Sequence, residues 1–430
     1  MKIGLEVHVA LPTKSKLFCS CSPIAEEPNT AVCPICLGMP GAKPMLNAEA
    51  LKISVAIARA LHCDIIDNAY FIRKVYFYPD LPKSYQITQL DGAVGRGGYV
   101  RVGGKKVRIR RVQLEEDPAK VVREDEYSLL DFNRSGVPLN EIVTEPDIGS
   151  EEELRGFVSE LRSILYYVGV DIDREMKIDL NISLDGERVE IKNVTGIKNL
   201  IDAERYECKR QGEIIAAGGK VKTETRSYSA EAMSTVSSRE KESDEEYGFI
   251  YDPDLVMYPA NTIRTDETPI ASEIAERYSA QYGTNAETVK ELVMFDRNAL
   301  RLLRHGAGNG KIGTAINAIS MLRRTDAMDI DEKNFDRMLE YMGRGMLLSD
   351  DAIKALKAGN DVEMSAGAVS AEEIDKAIME VVESRKDLVA EYSTNHKAFN
   401  FIVGLILKKY KVSPRYVSER LSKVLETKLK

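Results

Sequence analysis

The sequence predicts an α+β protein in which a mixed-sheet domain precedes an all-helical region, and three observations carry that expectation. Segments of alternating apolar and polar residues recur from residue 1 to about 262. Amphipathic helical segments interrupt them without a regular strand–helix–strand order. After YPANTIRTDETP the alternation stops, and from about 269 onward nearly every segment has helical spacing.

Taken in order, IGLEVHVAL (3–11) opens as a strand with Ile3, Leu5, Val7 and Val9 on one face and Glu6 and His8 on the other. NAEALKISVAIARALHC (47–63) follows as a helix. The glycines of GRGG (95–98) and VGG (102–104) read as hairpin turns. VRIRR and VQLEE alternate across 107–116, placing Gln113, Glu115 and Asp117 opposite Val112 and Leu114, with Glu116 at the strand end. SEEELRGFVSELRSILYYVGV (150–170) has a serine cap, an acidic first turn and helical apolar spacing. MKIDLNISL sets Met176, Ile178, Leu180, Ile182 and Leu184 against Asp179 and Asn181. VEIKN sets Val189 and Ile191 against Glu190 and Lys192, and 198–217 is a third helix. Glycine-rich breaks at 306–311 and 359–367 divide the helical region. The expected domains are therefore 1–262, a middle helical domain at 269–360 and a helical tail at 365–430.

At 430 residues the chain exceeds one comfortable core. No apolar run is long enough to span a bilayer, and Glu6 interrupts any leader-like start, so a cytosolic protein without membrane contact is expected. The formal charge of −8 argues against a general nucleic-acid coat. It leaves two basic stretches as local contacts: RVGGKKVRIRR (101–111), and the last thirty residues, where eight Lys/Arg face Glu419 and Glu426.

Four of six cysteines lie in CSCSPIAEEPNTAVCPIC (19–36). A disulfide staple is disfavoured in a cytosolic protein. A thioredoxin-like pair belongs at a helix start after a strand, whereas Cys33-Pro-Ile-Cys36 runs into the loop LGMPGAKP. Two close pairs across a polar loop, Cys19/Cys21 and Cys33/Cys36, fit a closed four-thiolate zinc site of structural type. Cys63 and Cys208 stand alone and are expected to be buried as small apolar residues.

The polar side of the predicted sheet is unusual. A solvated face needs only Thr, Lys, Arg or Gln, yet here it carries Glu6, His8, Glu115, Asp179, Asn181 and Glu190. Converging carboxylates require cations, and this hard donor set suits Mg²⁺ holding a nucleotide's phosphates. No phosphate-loop or dinucleotide fingerprint is present, so phosphoryl transfer would have to use the sheet, with Lys192 or the pair Arg73 and Lys74 as cationic groups.

These residues sit inside longer motifs: IGLEVHVALPTKSKLFCSC, EPNTAVCPICLGMPGAKPMLN, YFYPDLPKSYQITQ, RRVQLEEDPAK, SLLDFNRSGVPLNEIVTEPDI, DLNISL, EIKN, and HKAFNFIVGLILKKYK in the tail. Together they resemble the B subunit of the tRNA-dependent amidotransferase family. That resemblance implies a glutamine synthetase-like cradle, zinc at the four clustered cysteines, and magnesium near Glu6, His8, Glu115 or Glu116, and Glu190. It implies ATP-dependent phosphorylation of the side-chain carboxylate of Glu-tRNA(Gln) or Asp-tRNA(Asn), then amidation by ammonia channelled past Lys74 and Lys83. The ammonia would come from a separate amidase subunit joined through a small C subunit, because the chain has no glutaminase site of its own. The tail would contact tRNA, with Lys408, Lys409, Lys411 and Arg415 as candidates. Two positions depart from the family's usual text, Val75 in RKVYFYPD and Gly248 in EYGFIYDPDL; the latter removes an arginine and weakens any assignment to its own loop, though Asp252 and Asp254 keep an acidic pair. A tRNA-presenting scaffold and a small-metabolite ligase of the same fold are the rival readings. The first predicts broken carboxylates, and the second has no use for a basic tail.

Overall fold

The computed structural model describes residues 1–172, 176–240, 247–344, 346–360, 368–385, 396–410 and 414–428. They group as two compact units, Met1–Glu273 and Ile274–Lys430.

The first unit contains fourteen strands: β1 (Lys2–Ala10), β2 (Asp64–Ile65), β3 (Ile72–Val75), β4 (Tyr85–Thr88), β5 (Gly95–Val102), β6 (Lys105–Glu116), β7 (Lys120–Arg123), β8 (Ser128–Asp131), β9 (Pro138–Thr144), β10 (Lys177–Ser183), β11 (Val189–Thr195), β12 (Glu224–Ser229), β13 (Ser234–Glu240) and β14 (Gly248–Tyr251). Nine build one sheet in the order β13-β12-β11-β10-β1-β9-β6-β5-β2. Its pairs are antiparallel except β11 with β12, so the sheet is mixed. The apolar sides of β1, β10 and β11 are buried as the alternation demands, with Ile3, Val7, Leu180, Ile182, Val189 and Ile191 all inaccessible. Helices α1 (Ala48–Ala60), α2 (Glu151–Val168) and α3 (Ile197–Ala216) pack over that side.

Local chemistry explains the helix ends. Asn47 caps α1 by accepting from the N–H groups of Glu49 and Ala50. Ser150 accepts from the N–H of Glu153, whose carboxylate returns to the N–H of Gly149, and Gly169 closes α2 at φ 101°. The GRGG glycines, however, lie within β5 rather than in a turn. A side chain at Gly98 would come within 2.2 Å of the Leu61 carbonyl, so its bareness lets the end of α1 approach the strand. The turn itself uses Gly103 and Gly104, both at positive φ.

The stretch 101–111 is less basic in space than in sequence. Lys105 pairs with Glu153, Arg108 with Asp147, Arg110 with Glu145 and Arg111 with Glu141, so four of its six positive charges are locally neutralised. Cys63 is buried as expected, but Cys208 is only half-buried, with its Sγ 3.3 Å from a Glu204 oxygen.

A buried ionic network ties α3 to the sheet edge. Glu207 is inaccessible and accepts from Arg210, Gln211 and Thr235, while Arg226 lies 3.6 Å away. Replacing Glu207 with alanine leaves Arg210 and Arg226 to share Glu224 and removes the acceptor of Gln211 and Thr235, and is expected to cost about 1–3 kcal/mol of stability by denaturant unfolding.

The second unit carries helices α4 (Ala271–Tyr282) through α9 (Asp350–Lys357), a strand pair β15 (Met346–Leu348) with β16 (Ala368–Ser370), then α10 (Ala371–Ser384), α11 (His396–Lys409) and α12 (Pro414–Lys428). The short strand pair is absent from the sequence expectation of helices alone. In the last three helices, Ile374, Ile378, Val382, Ile402, Ile406, Val417, Leu421 and Leu425 close a separate small core. No helix of the described residues is long and apolar enough to cross a membrane.

Candidate active site and metal-binding loop

The face of the large sheet opposite α1–α3 carries the expected polar residues, but water does not bathe them. Glu115, Asp179, Asn181 and Glu190 are each at most 8 % exposed. Strand pairing explains their convergence. Glu6 faces Asp179 across β1–β10, His8 faces Glu141 across β1–β9, and Asn181 faces Glu190 across β10–β11.

Two groups result. Ligand atoms of Glu6, Asp179 and Glu190 lie within 4.8 Å of one another, and so do those of His8, Glu115 and Glu141. Burial and then Glu141, Glu190 and Asp179 push the Glu6 carboxyl upward. Burial and then Glu141 push Glu115 up to about 7. Burial works against charging His8, yet Glu115, Glu141, Asp179 and Glu6 together raise it, and its Nε2 lies 3.5 Å from Glu115. Asn181 donates to Glu6 while its buried Oδ1 has no partner among the described residues. Hard oxygen donors under mutual repulsion, one carbonyl oxygen left over, and a single imidazole are a donor set that accepts Mg²⁺.

Two cations reach the carboxylates of this face directly: Arg111 lies 3.8 Å from Glu141, and Lys192 sits in the first group. Its Nζ lies 3.4 Å from Glu190 and 3.7 Å from Asp179. Burial opposes its charge, but Asp179, Glu190 and Glu6 outweigh that and raise it. Lys74 lies over the Tyr247 ring, 4.4 Å from its centroid, and its charge reaches Glu115.

Two expected residues are engaged elsewhere. Glu116, which strand alternation turns away from Glu115, binds Lys83 at 2.6 Å and accepts from the N–H of Ile87. It stands outside both carboxylate groups and joins β6 to β4. Arg73 is held by Asp252 and Asp254 at 3.0 Å each and lies over the Tyr85 ring, so it anchors the 252–254 loop rather than facing the carboxylates. The residue missed from sequence is Glu141. Its signal was available, since PLNEIVT is apolar enough for a fully buried strand and contains one carboxylate.

The loop 16–38 forms the second centre. All six cysteines are free thiols, and the sulfurs of Cys19, Cys21, Cys33 and Cys36 lie within 4.8 Å of one another. A turn closes Cys33–Cys36, with the N–H of Leu37 on the Cys33 carbonyl and the N–H of Cys33 on the Cys36 sulfur at 3.1 Å. No helix starts here, which removes the thioredoxin-like reading. Four sulfurs at this separation suit one tetrahedral soft-ligand ion, and zinc fits. Asn29 and Asn133 fasten the loop to β7–β8 and the residues after it: Asn29 bonds Asp131, Leu130 and Phe132, and Asn133 bonds Glu27 and Ala31.

A mixed sheet with two buried carboxylate groups and a four-thiol clamp defines a catalytic domain, and residues 1–264 match the family described as the GatB/GatE catalytic domain. Over its full length the chain is 36 % identical to the B subunit of the aspartyl/glutamyl-tRNA(Asn/Gln) amidotransferase of Sulfurisphaera tokodaii, with all of both chains covered. It is 37 % identical to that of Saccharolobus solfataricus and 34 % identical to that of Persephonella marina, with 99 % of each chain covered in both cases. The chain belongs to the family of aspartyl/glutamyl-tRNA(Asn/Gln) amidotransferase B subunits.

The two departures from the family's usual text turn out to be neighbours. Val75 and Gly248 are paired across β3–β14, and a side chain added at Gly248 would first meet Val75 at 3.4 Å. They form one local change on the small β14-β3-β4 sheet, and neither residue belongs to a carboxylate group.

Proposed function

We propose that this chain is the ATP-using member of a tRNA-dependent amidotransferase complex, activating the side-chain carboxylate of Glu-tRNA(Gln), Asp-tRNA(Asn) or both. The carrying observation is the row of buried acids and one imidazole running across five adjacent strands, intact in a member of this family. The carboxylates on the mixed sheet support a glutamine synthetase-like cradle. Glu6, Asp179 and Glu190, with Asn181, would hold one Mg²⁺, and His8, Glu115 and Glu141 a second cation. When bound, such ions supply charge neutralisation for the nucleotide's phosphates.

A carboxylate is a poor electrophile, so two displacements are needed. The substrate carboxylate oxygen attacks the γ-phosphorus, the bond to the bridging oxygen breaks, and ADP leaves. Ammonia nitrogen then adds to the acyl carbon, the bond to phosphate breaks, and a proton passes from nitrogen to the departing phosphate. Lys192 offsets the negative charge where phosphoryl transfer would occur, and burial of the face keeps water from the acyl phosphate. Lys74 and Lys83 line the proposed ammonia route. A separate amidase supplies the ammonia and a small C subunit joins the complex, in the cytoplasm.

Within the second unit, 269–360 and 365–430 are proposed as separate middle and tail domains, the latter contacting tRNA. Lys408 and Lys409 are exposed on α11, which supports that role. Lys411 and the side chain of Arg415 lie outside the described residues.

Reconstitution with the amidase and C subunits tests this reading. With glutamine, ATP and Mg²⁺, Glu-tRNA(Gln) and Asp-tRNA(Asn) are offered separately and the amino acid released on deacylation is identified. Gln, Asn or both is expected. Bound tRNA with no amide product from either would leave the scaffold role instead.

A further inference from the structure

Lys16 is among the largest fully buried side chains of the described residues, and it is a cation. Its three ammonium protons meet three acceptors: the Ala31 carbonyl at 2.9 Å, the Phe132 carbonyl at 3.2 Å and the Cys36 sulfur at 3.5 Å. Among the described residues no carboxylate pairs with it. An uncompensated buried ammonium costs several kcal/mol, so a counter-charge must be present, and the only candidate in contact is the cluster of four cysteines.

We propose that Lys16 is the charge-compensating and positioning residue of the four-cysteine metal centre, binding the anionic metal–thiolate cluster through Cys36 and coupling it to the segment that ends at Phe132. A divalent ion with four thiolates carries two net negative charges, and one ammonium at the Cys36 sulfur halves them. The same nitrogen joins three stretches of chain. Lys16 follows β1, Ala31 belongs to the cysteine loop, and Phe132 closes the connection from β6, which carries Glu115, to β9, which carries Glu141. Gly136, whose φ of +87° favours glycine, brings this turn beside the stem, where an added Cβ would make ordinary contact with Lys16 at 3.5 Å and Cys36 at 3.7 Å. The backbone repeats the connection, with the N–H of Leu17 on the Gly136 carbonyl and the Ser135 hydroxyl on the Cys36 carbonyl. Outer groups of this kind orient metal ligands and hold down their electron density.

The inference rests on metal binding by the four thiols and is independent of the amidation reaction. The full chain is prepared as wild type, Lys16→Met, Lys16→Gln and Lys16→Arg, loaded with Zn²⁺ or Co²⁺. Zinc transfer to a chromogenic chelator and the sulfur-to-cobalt charge-transfer band are recorded. Lys16→Gln keeps two N–H donors while removing the charge and the third donor, and Lys16→Met removes charge and donors together. Both neutral variants are expected to release zinc about 10-fold faster or more. Their charge-transfer bands should move to lower energy, because sulfur without a neighbouring cation gives up electron density more easily. Lys16→Arg should restore both readouts toward wild type.

Unchanged zinc release and an unchanged band in a folded neutral variant would overturn the proposal, leaving Lys16 as packing alone. Should neither neutral variant fold, Lys16→Arg decides: zinc retention near wild type supports charge compensation, and loss comparable to a cysteine variant overturns it. Wild-type protein that binds no zinc would instead refute the metal reading of the thiols, an outcome distinct from failure at Lys16.

Discussion

Glu6→Ala and Glu190→Ala are expected to lower ATP-dependent amidation on the order of 10³-fold or more while leaving tRNA binding near wild type. Each removes one of three carboxylates from a group that has no spare acid, and Asn181 supplies only a neutral oxygen. The fold should survive, because the metal-free face is self-repelling and losing one charge relieves it. Amidation assays on the reconstituted complex, beside filter binding of tRNA, separate the effects. Normal ATP cleavage with lost tRNA binding would defeat the assignment.

The same repulsion sets a pH dependence. In the folded chain Glu115 holds its proton up to about 7, whereas its ordinary value is 4.5. Between those values the native state binds more protons than the unfolded chain, so metal-free stability falls as pH rises through this window. On the proposed reading, Mg²⁺ would replace the protons as counter-charge. It is therefore expected to raise the melting temperature more at pH 7.5 than at pH 5, and an equal shift at both would contradict a carboxylate site.

The second large effect belongs to the cysteine loop. Cys33→Ser is expected to release zinc and lower Tm by about 5 °C or more. Few apolar side chains hold residues 19–36, and their order depends on the thiol cluster, Lys16 and the Asn29 and Asn133 bonds. Chelation of the wild type should reproduce the loss. Metal analysis by mass spectrometry with parallel melting curves decides it, and a metal-free protein with an unaltered curve would refute the clamp.

Much of this was legible in the residues. Period-two alternation located β1, β6, β10 and β11, and the mismatch between their polar residues and an ordinary wet sheet pointed to Glu6, His8, Glu115, Asp179, Asn181 and Glu190. What alternation could not show was pairing. Glu141 entered through its position opposite His8, a cross-strand relation whose local trace was only a single carboxylate in a fully buried strand. Glu116 and Arg73 left for the converse reason, each captured by a partner distant in sequence, Lys83 and Asp252. The basic run at 101–111 likewise lost four of its six charges to acids 30 to 48 residues away.

Glu6 and His8 are alternate residues of one central strand, and each belongs to a different cation group. Their backbone positions are separated by two residue rises, about 7 Å. β1 thus acts as a ruler between the two positions, graduated by covalent geometry and insensitive to side-chain repacking. It also supplies the middle of the core through Ile3, Leu5, Val7 and Val9. A one-residue insertion or deletion between Ile3 and Glu6 would turn Glu6 and His8 into the core and the apolar residues onto the carboxylate face. Folding and chemistry share a single reading frame here, so neither can drift along this strand without the other.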